Sequence, residues 1–76
     1  MDETLCMLVA DMLGVSSSEV TPELSRDESG AWDSLAHFRI VTAVEEEYEI
    51  QFSMETIEKI KTVKQLEAAL QELEAL

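Results

Sequence analysis

Apolar and polar residues follow a helical spacing along most of this 76-residue chain. From Thr4 to Leu13, apolar residues recur three and four positions apart, and Gly14 follows at the position where a helix commonly stops. The members of this apolar face are Leu5, Leu8, Val9, Met12 and Leu13. The pattern therefore predicts a first helix over Thr4 to Leu13.

A second helix is predicted to begin at Asp33 or Ser34. Its broad apolar face consists of Leu35, Phe38, Ile40, Val41, Val44 and Tyr48, and its other positions include Glu45, Glu46, Glu47 and Glu49. Because so wide a face needs neighbours on two sides, we expect this helix to be central. After it, Ile50 and Phe52 alternate with polar residues as in a short strand.

The remaining sequence predicts two further helices. Ser53 can cap a short third helix, which carries Met54, Ile57 and Ile60. Thr62 and Gln65 have capping-box spacing before a last helix, whose apolar face is Val63, Leu66, Ala69, Leu70 and Leu73. The predicted fold class is all-α, a four-helix bundle of three longer helices and one short helix.

A long loop, residues 15–33, separates the first two predicted helices. Ser16 and Glu19 have capping-box spacing, and Thr21 followed by Pro22 is typical of a helix start, so short helical turns are expected there. Connections of this length in compact domains are usually functional or disordered. The loop is therefore a candidate for carrying function.

The composition, 46% hydrophobic and 29% charged, is that of a globular protein. A chain this short buries only about 60% of the surface that its unfolded form exposes, so we expect one domain over residues 1–76 without a deep cleft. The longest apolar run, Leu5 to Ala10, is too short to span a bilayer. We expect a cytoplasmic, monomeric chain that does not insert into membranes.

Seventeen acidic and five basic residues give a formal charge of −12. Nucleic acids and anionic membranes bind through lysine and arginine, so neither is expected as a partner. Residues 1–58 hold 14 of the acids and 2 of the bases, while residues 59–76 hold 3 of each. This surface would attract basic partners, although acidity also simply keeps a small protein soluble.

Few residues could support catalysis or bind a metal. His37 lies one turn after Ser34 on the same predicted helix, and no scaffold remains for an oxyanion hole. Single Cys and His residues exclude a disulfide and a Cys- or His-based zinc site. Residues 27–33 lack the ligand pattern of a calcium loop. We therefore expect neither an enzyme nor a metal site.

The remaining candidate is the junction Gly30-Ala31-Trp32-Asp33-Ser34-Leu35 between the loop and the second helix. A hydroxyl at a helix N-terminus meets free backbone N–H groups and the positive end of the helix dipole, which can accommodate a phosphate ester. The same residues could equally serve only as a helix cap.

Several motifs, taken in order, resemble the acyl carrier protein family over nearly the whole chain. They are Leu13-Gly14-Val15, Val20-Thr21, the junction with Asp33-Ser34-Leu35, Glu45-Glu46-Glu47-Tyr48, and Glu58-Lys59-Ile60-Lys61-Thr62-Val63. The resemblance implies that Ser34 receives 4′-phosphopantetheine from coenzyme A through a phosphopantetheinyl transferase (holo-carrier synthase). It further implies that the thiol of this arm carries an acyl group as a thioester.

The resemblance also implies roles for the neighbours of Ser34. Asp33 would assist metal-dependent transfer of the arm, and Leu35 would help to dock partners. Acidic residues would meet the basic surfaces of acyl-processing enzymes; these are Glu45, Glu46 and Glu58. Each of them could also be a solvated surface residue, since exposed ion pairs contribute little.

Some residues depart from the family pattern. Trp32 is an extra residue between Ala31 and Asp33, and we expect it to pack on the bundle or else to contact partners. His37 is expected either beside the phosphodiester or exposed without a role. Ala36 and Arg39 occupy positions that are often acidic in the family. These departures favour a specialised stand-alone carrier over one for housekeeping fatty-acid synthesis.

Two alternative functions stay open at this point. A peptidyl or aminoacyl carrier would use the same fold and arm with an amino acid as cargo. An acidic helical interaction module would carry no prosthetic group, and Ser34 would then be only a cap.

Overall fold

The computed structural model of this protein describes residues 2–28 and 30–76. Its helices are α1 at Glu3–Leu13, α2 at Ser34–Tyr48, α3 at Met54–Lys59 and α4 at Val63–Glu72. One turn of 3₁₀ helix, Ser17–Glu19, lies in the long loop. The predicted all-α fold with three longer helices and one short helix is thereby confirmed, and the long helices begin within a residue of their predicted starts.

Side-chain caps explain why the helices begin where they do. The Asp2 carboxylate accepts the backbone N–H of Thr4 at 2.8 Å before α1, and the Ser53 hydroxyl accepts that of Thr56 at 3.1 Å before α3. The predicted capping box of Thr62 precedes α4, where the Thr62 hydroxyl accepts the N–H of Gln65 at 3.1 Å. These contacts are local in sequence and were therefore predictable from it.

The hydrophobic core is formed where α1, α2 and α4 face one another. Its fully or almost fully buried apolar residues include Leu5, Val9, Leu13, Ile40, Val41, Val44, Val63, Leu66 and Leu70. The loop adds two buried side chains, Val20 and Trp32. The end of the loop is thus anchored in the core immediately before α2 begins.

The loop is also attached by its backbone to the segment between α3 and α4. The N–H of Arg26 donates to the carbonyl oxygen of Lys61 at 2.8 Å. Beside this hydrogen bond, Ser25 and Thr62 form an isolated antiparallel bridge. Residues 35 positions apart in the sequence are therefore held next to each other.

The apolar face predicted for α2 is not buried over its whole width. The side chains of Leu35 and Phe38 are 58% and 68% exposed. In their place Ala36 and His37 are buried, together with Ile40 one turn further on. At the N-terminal end of α2, the face that packs on the core is therefore rotated relative to the predicted apolar face. Two large apolar residues remain at the surface.

The loop forms a short helical turn as predicted, Ser17–Glu19, and the capping box of Ser16 and Glu19 is present. Thr21 and Pro22 begin a turn instead of a second helical segment, closed by the N–H of Leu24 on the Thr21 carbonyl at 3.1 Å. Ile50 and Phe52 form no strand within the described part of the chain, in agreement with the predicted all-α class. In residues 2–28 and 30–76, none of the helices has the length and apolar character needed to cross a bilayer.

Candidate functional site

Ser34 is exposed and is the first residue of α2. The residue before it, Asp33, has an extended backbone, and its carboxylate accepts the backbone N–H of Ala36 at 2.8 Å. The capping function therefore belongs to Asp33. Consequently the hydroxyl of Ser34 is not needed to start the helix and faces solvent at a loop-to-helix junction.

Three groups form a hydrogen-bonded chain that secures this junction. Trp32 is 2% exposed, and its indole N–H donates to Nδ1 of His37 at 3.1 Å. Nε2 of His37 lies 2.9 Å from the carbonyl oxygen of Ile57. A carbonyl only accepts, so Nε2 carries the proton and Nδ1 is left as the acceptor. The loop, α2 and α3 are joined by a neutral imidazole.

Of the two expectations for His37, that of an exposed residue without a role is wrong. Its side chain is 5% exposed, and both ring nitrogens are committed to Trp32 and Ile57. Burial lowers its pKa, the hydrogen bond to the Ile57 carbonyl opposes this, and the positive charge of Arg26 lowers the pKa further. For Trp32, packing on the bundle is confirmed.

An open cleft of about 440 Å³ lies beside Ser34. It is lined by Arg26, Asp27, Trp32, Asp33, Ser34 and Lys61. Sequence reasoning missed Arg26 and Lys61, because no local pattern indicates that these two residues meet. The spacing of charged residues could not have revealed them, since a hydrogen bond between distant segments brings them together.

Leu35 and Phe38 give the outer surface next to Ser34 an apolar character. Residues three positions apart on a helix are neighbours on its surface, so these two exposed side chains adjoin each other. The resemblance to the family implied a docking role for Leu35, whereas Phe38 was predicted only as part of the apolar face of α2. The signal that could have found Phe38 is the excess width of the apolar face of α2.

The three acidic residues named for docking have different surroundings. Glu45 is half-buried, and its carboxylate accepts the backbone N–H of Phe52 at 2.8 Å. Glu46 on α2 and Glu58 on α3 are exposed. Twelve residues of helix place Glu46 about 18 Å along the axis from Ser34. The fold thus uses the Glu45 carboxylate itself, whereas Glu46 and Glu58 present theirs to solvent.

Two comparisons with known proteins show the family and the fold of this chain. Residues 3–70 match a family model described as the phosphopantetheine attachment site. A solved structure from Mycobacterium tuberculosis, described as an acyl carrier protein, superposes with a TM-score of 0.84 at 22% sequence identity. The alignment covers 93% of this chain and 95% of the other. The chain therefore belongs to the phosphopantetheine attachment site family, whose prosthetic group is 4′-phosphopantetheine, and it has the fold of an acyl carrier protein.

Proposed function

We propose that this protein holds acyl intermediates as thioesters on a 4′-phosphopantetheine arm attached to Ser34 and presents them to biosynthetic enzymes. The observation that carries this proposal is the exposed hydroxyl of Ser34 at the start of a 15-residue helix that Asp33 already caps. Free N–H groups and the helix dipole at this end suit a phosphodiester. The residues present therefore fit the prosthetic group.

The attachment needs little chemistry from the chain itself. The oxygen of the Ser34 hydroxyl forms a bond to phosphorus and loses its proton, and adenosine 3′,5′-diphosphate leaves coenzyme A. A phosphopantetheinyl transferase supplies the catalysis, with Asp33 next to the reacting hydroxyl. The arm then supplies the thiol that forms the thioester. The protein acts in this proposal as a carrier and not as an enzyme.

Partner docking combines an apolar contact with acidic steering. Leu35 and Phe38 supply the apolar contact beside the arm, while Glu46 and Glu58 attract basic enzyme surfaces from a distance. Glu45 adds to the same field, but its carboxylate is held by Phe52. Trp32 and Arg39, where the sequence departs from the family pattern, favour a specialised cytoplasmic pathway such as polyketide, lipid-modification or surface-glycan biosynthesis.

Intact-mass measurement tests the attachment. Incubation with coenzyme A and a promiscuous transferase should add one phosphopantetheine to the protein and none to Ser34→Ala. The matched control is Ser53→Ala, which removes a serine from the start of another helix and should still be modified. Modification of Ser34→Ala would reject the site. An unmodified wild-type chain would favour an interaction module without a prosthetic group.

A further inference from the structure

The cleft beside Ser34 differs in charge from the rest of the protein. The chain as a whole has 17 acidic and five basic residues, whereas the cleft is lined by two of each. The basic pair is Arg26 and Lys61, and the acidic pair is Asp27 and Asp33. The region around the attachment hydroxyl is thus balanced in charge on an otherwise strongly acidic protein.

The positive charges of this cleft are not taken up by its acids. Within residues 2–28 and 30–76, the one ion pair joins Lys59 to Glu55 at 2.9 Å on α3. Asp33 instead accepts the N–H of Ala36 in its role as a cap. The ammonium of Lys61 therefore remains available to an anion that enters the cleft, as do the N–H groups of the Arg26 guanidinium that do not donate to the Ile60 carbonyl.

The two basic residues are held in place by their backbones. The N–H of Arg26 donates to the carbonyl of Lys61 at 2.8 Å, and the N–H of Lys61 donates to the side-chain carbonyl of Gln65 at 2.7 Å. One N–H group of the part-buried Arg26 guanidinium also donates to the carbonyl oxygen of Ile60, at 3.5 Å. The tertiary structure therefore fixes the two backbone positions from which these side chains extend to the cleft.

We propose that Arg26 and Lys61 form a cationic subsite for the phosphodiester attached to Ser34. This inference rests on the proposed attachment. A phosphodiester carries one negative charge and two unesterified oxygens. Guanidinium offers directed N–H donors to such oxygens, and ammonium adds a compact positive charge. The subsite offsets the charge that modification adds to a chain of −12, and it restrains the base of the arm.

Two double variants test the subsite. Arg26→Gln/Lys61→Gln removes the pair, and Arg39→Gln/Lys64→Gln is the matched control, since both remove one arginine and one lysine. Arg39 and Lys64 are exposed and do not line the cleft. Each protein is prepared with and without phosphopantetheine, its loading is checked by intact mass, and its melting temperature is measured at low ionic strength.

The melting temperature should fall on modification by about 2 to 6 °C more in the cleft variant than in the control variant. Added salt should reduce this difference, because it screens the charges. In the wild-type protein, the side-chain Nε–H resonance of Arg26 should shift on modification and that of Arg39 should not. This NMR measurement does not depend on the stability of any variant.

The outcomes separate the subsite from the attachment. Equal changes in melting temperature for the two double variants, together with an unchanged Arg26 resonance, would overturn the subsite while leaving the attachment intact. A wild-type chain that gains no mass, or that gains it at another residue, would overturn the proposed function and the subsite with it.

Discussion

The two ends of α2 both present side chains toward solvent, but the fold uses them differently. At the N-terminal end, Ser34 and Phe38 are exposed while the backbone beneath them is secured by Trp32 and His37. At the C-terminal end, the carboxylate of Glu45 itself holds the following turn by accepting the N–H of Phe52. At the N-terminal end, buried residues secure the fold, whereas at the C-terminal end the half-buried Glu45 does so beside the exposed Glu46.

This difference indicates how a small protein can keep a rigid site at its surface. At the N-terminal end, the buried Trp32 and His37 carry stability, so the exposed residues beside them remain available for chemistry and partners. Substitution of the exposed Leu35 or Phe38 should therefore change function with little change in stability. At the C-terminal end, substitution of Glu45 should lower stability, whereas substitution of the exposed Glu46 should change it little.

The largest effect is expected at the buried anchor. Trp32→Ala leaves a cavity and removes the donor to His37, which should cost about 3 to 5 kcal/mol of unfolding free energy. A domain this small has about that much stability in total, so the variant should be largely unfolded at 25 °C by far-UV circular dichroism. Trp32→Phe should lose less of the unfolding free energy than Trp32→Ala, so a larger fraction of that variant should be folded. A loss within about 1 kcal/mol for Trp32→Ala would contradict the anchoring role.

The exposed apolar pair should show the opposite behaviour. Leu35→Ser/Phe38→Ser should change the unfolding free energy by no more than about 0.5 kcal/mol. It should lower kcat/KM for modification by the transferase about 10- to 100-fold, since apolar anchors commonly carry binding energy. The control Met7→Ser/Leu76→Ser removes two other exposed apolar residues. An equal loss of kcat/KM in the control variant would contradict a docking role for the surface next to Ser34.

Glu45 and Glu46 should separate stability from docking. Glu45→Ala leaves the N–H of Phe52 without its acceptor, which should cost about 1 to 2 kcal/mol in urea unfolding. Glu46→Ala should stay within about 0.5 kcal/mol. Association with a basic partner should slow at low salt for Glu46→Lys, and charge reversal of Glu72 on α4 provides the control. Equal slowing would mean that only the net charge matters.

Replacing Glu49 with glycine should stabilise the C-terminal end of α2. Glu49 has a left-handed φ of 54°, whereas α1 ends at Gly14 with a φ of 70°. Glycine adopts this conformation without steric cost, so Glu49→Gly should add about 0.5 to 1 kcal/mol to the unfolding free energy. Gly14→Ala should lower it by a similar amount. Loading of Ser34 should be unchanged in both variants.

Acidification should produce a smaller effect, at the N-terminal anchor. The folded pKa of His37 is lowered by burial, so below pH 6.5 the unfolded chain binds a proton that the folded chain does not. The stability that neutral His37 contributes is complete above pH 6.5. It is lost as the pH falls through the lowered pKa of the folded state. His37→Asn keeps an acceptor for Trp32 but does not titrate. Its urea midpoint should depend less on pH between 7.5 and 5.5, and an equal dependence would exclude His37 as the cause.

The sequence by itself determined the helices and the location of the proposed attachment residue. Asp33, Ser53 and Thr62 each cap a residue three positions away, so the starts of these three helices are encoded within a single turn. The motifs around Ser34 are contiguous in sequence, and the family match to residues 3–70 confirms the resemblance that they indicated. Local interactions of this kind need no knowledge of which helices pack together.

The tertiary structure decided which of these residues are covered and which distant ones meet. Helical periodicity defines an apolar face but not the part of it that a neighbour covers, so the burial of His37 and the exposure of Phe38 depended on packing. Arg26 and Lys61 meet because two segments pair through backbone groups, which every residue type possesses. The cleft beside Ser34 therefore left no pattern in the sequence, although it borders the residue that the sequence identified most clearly.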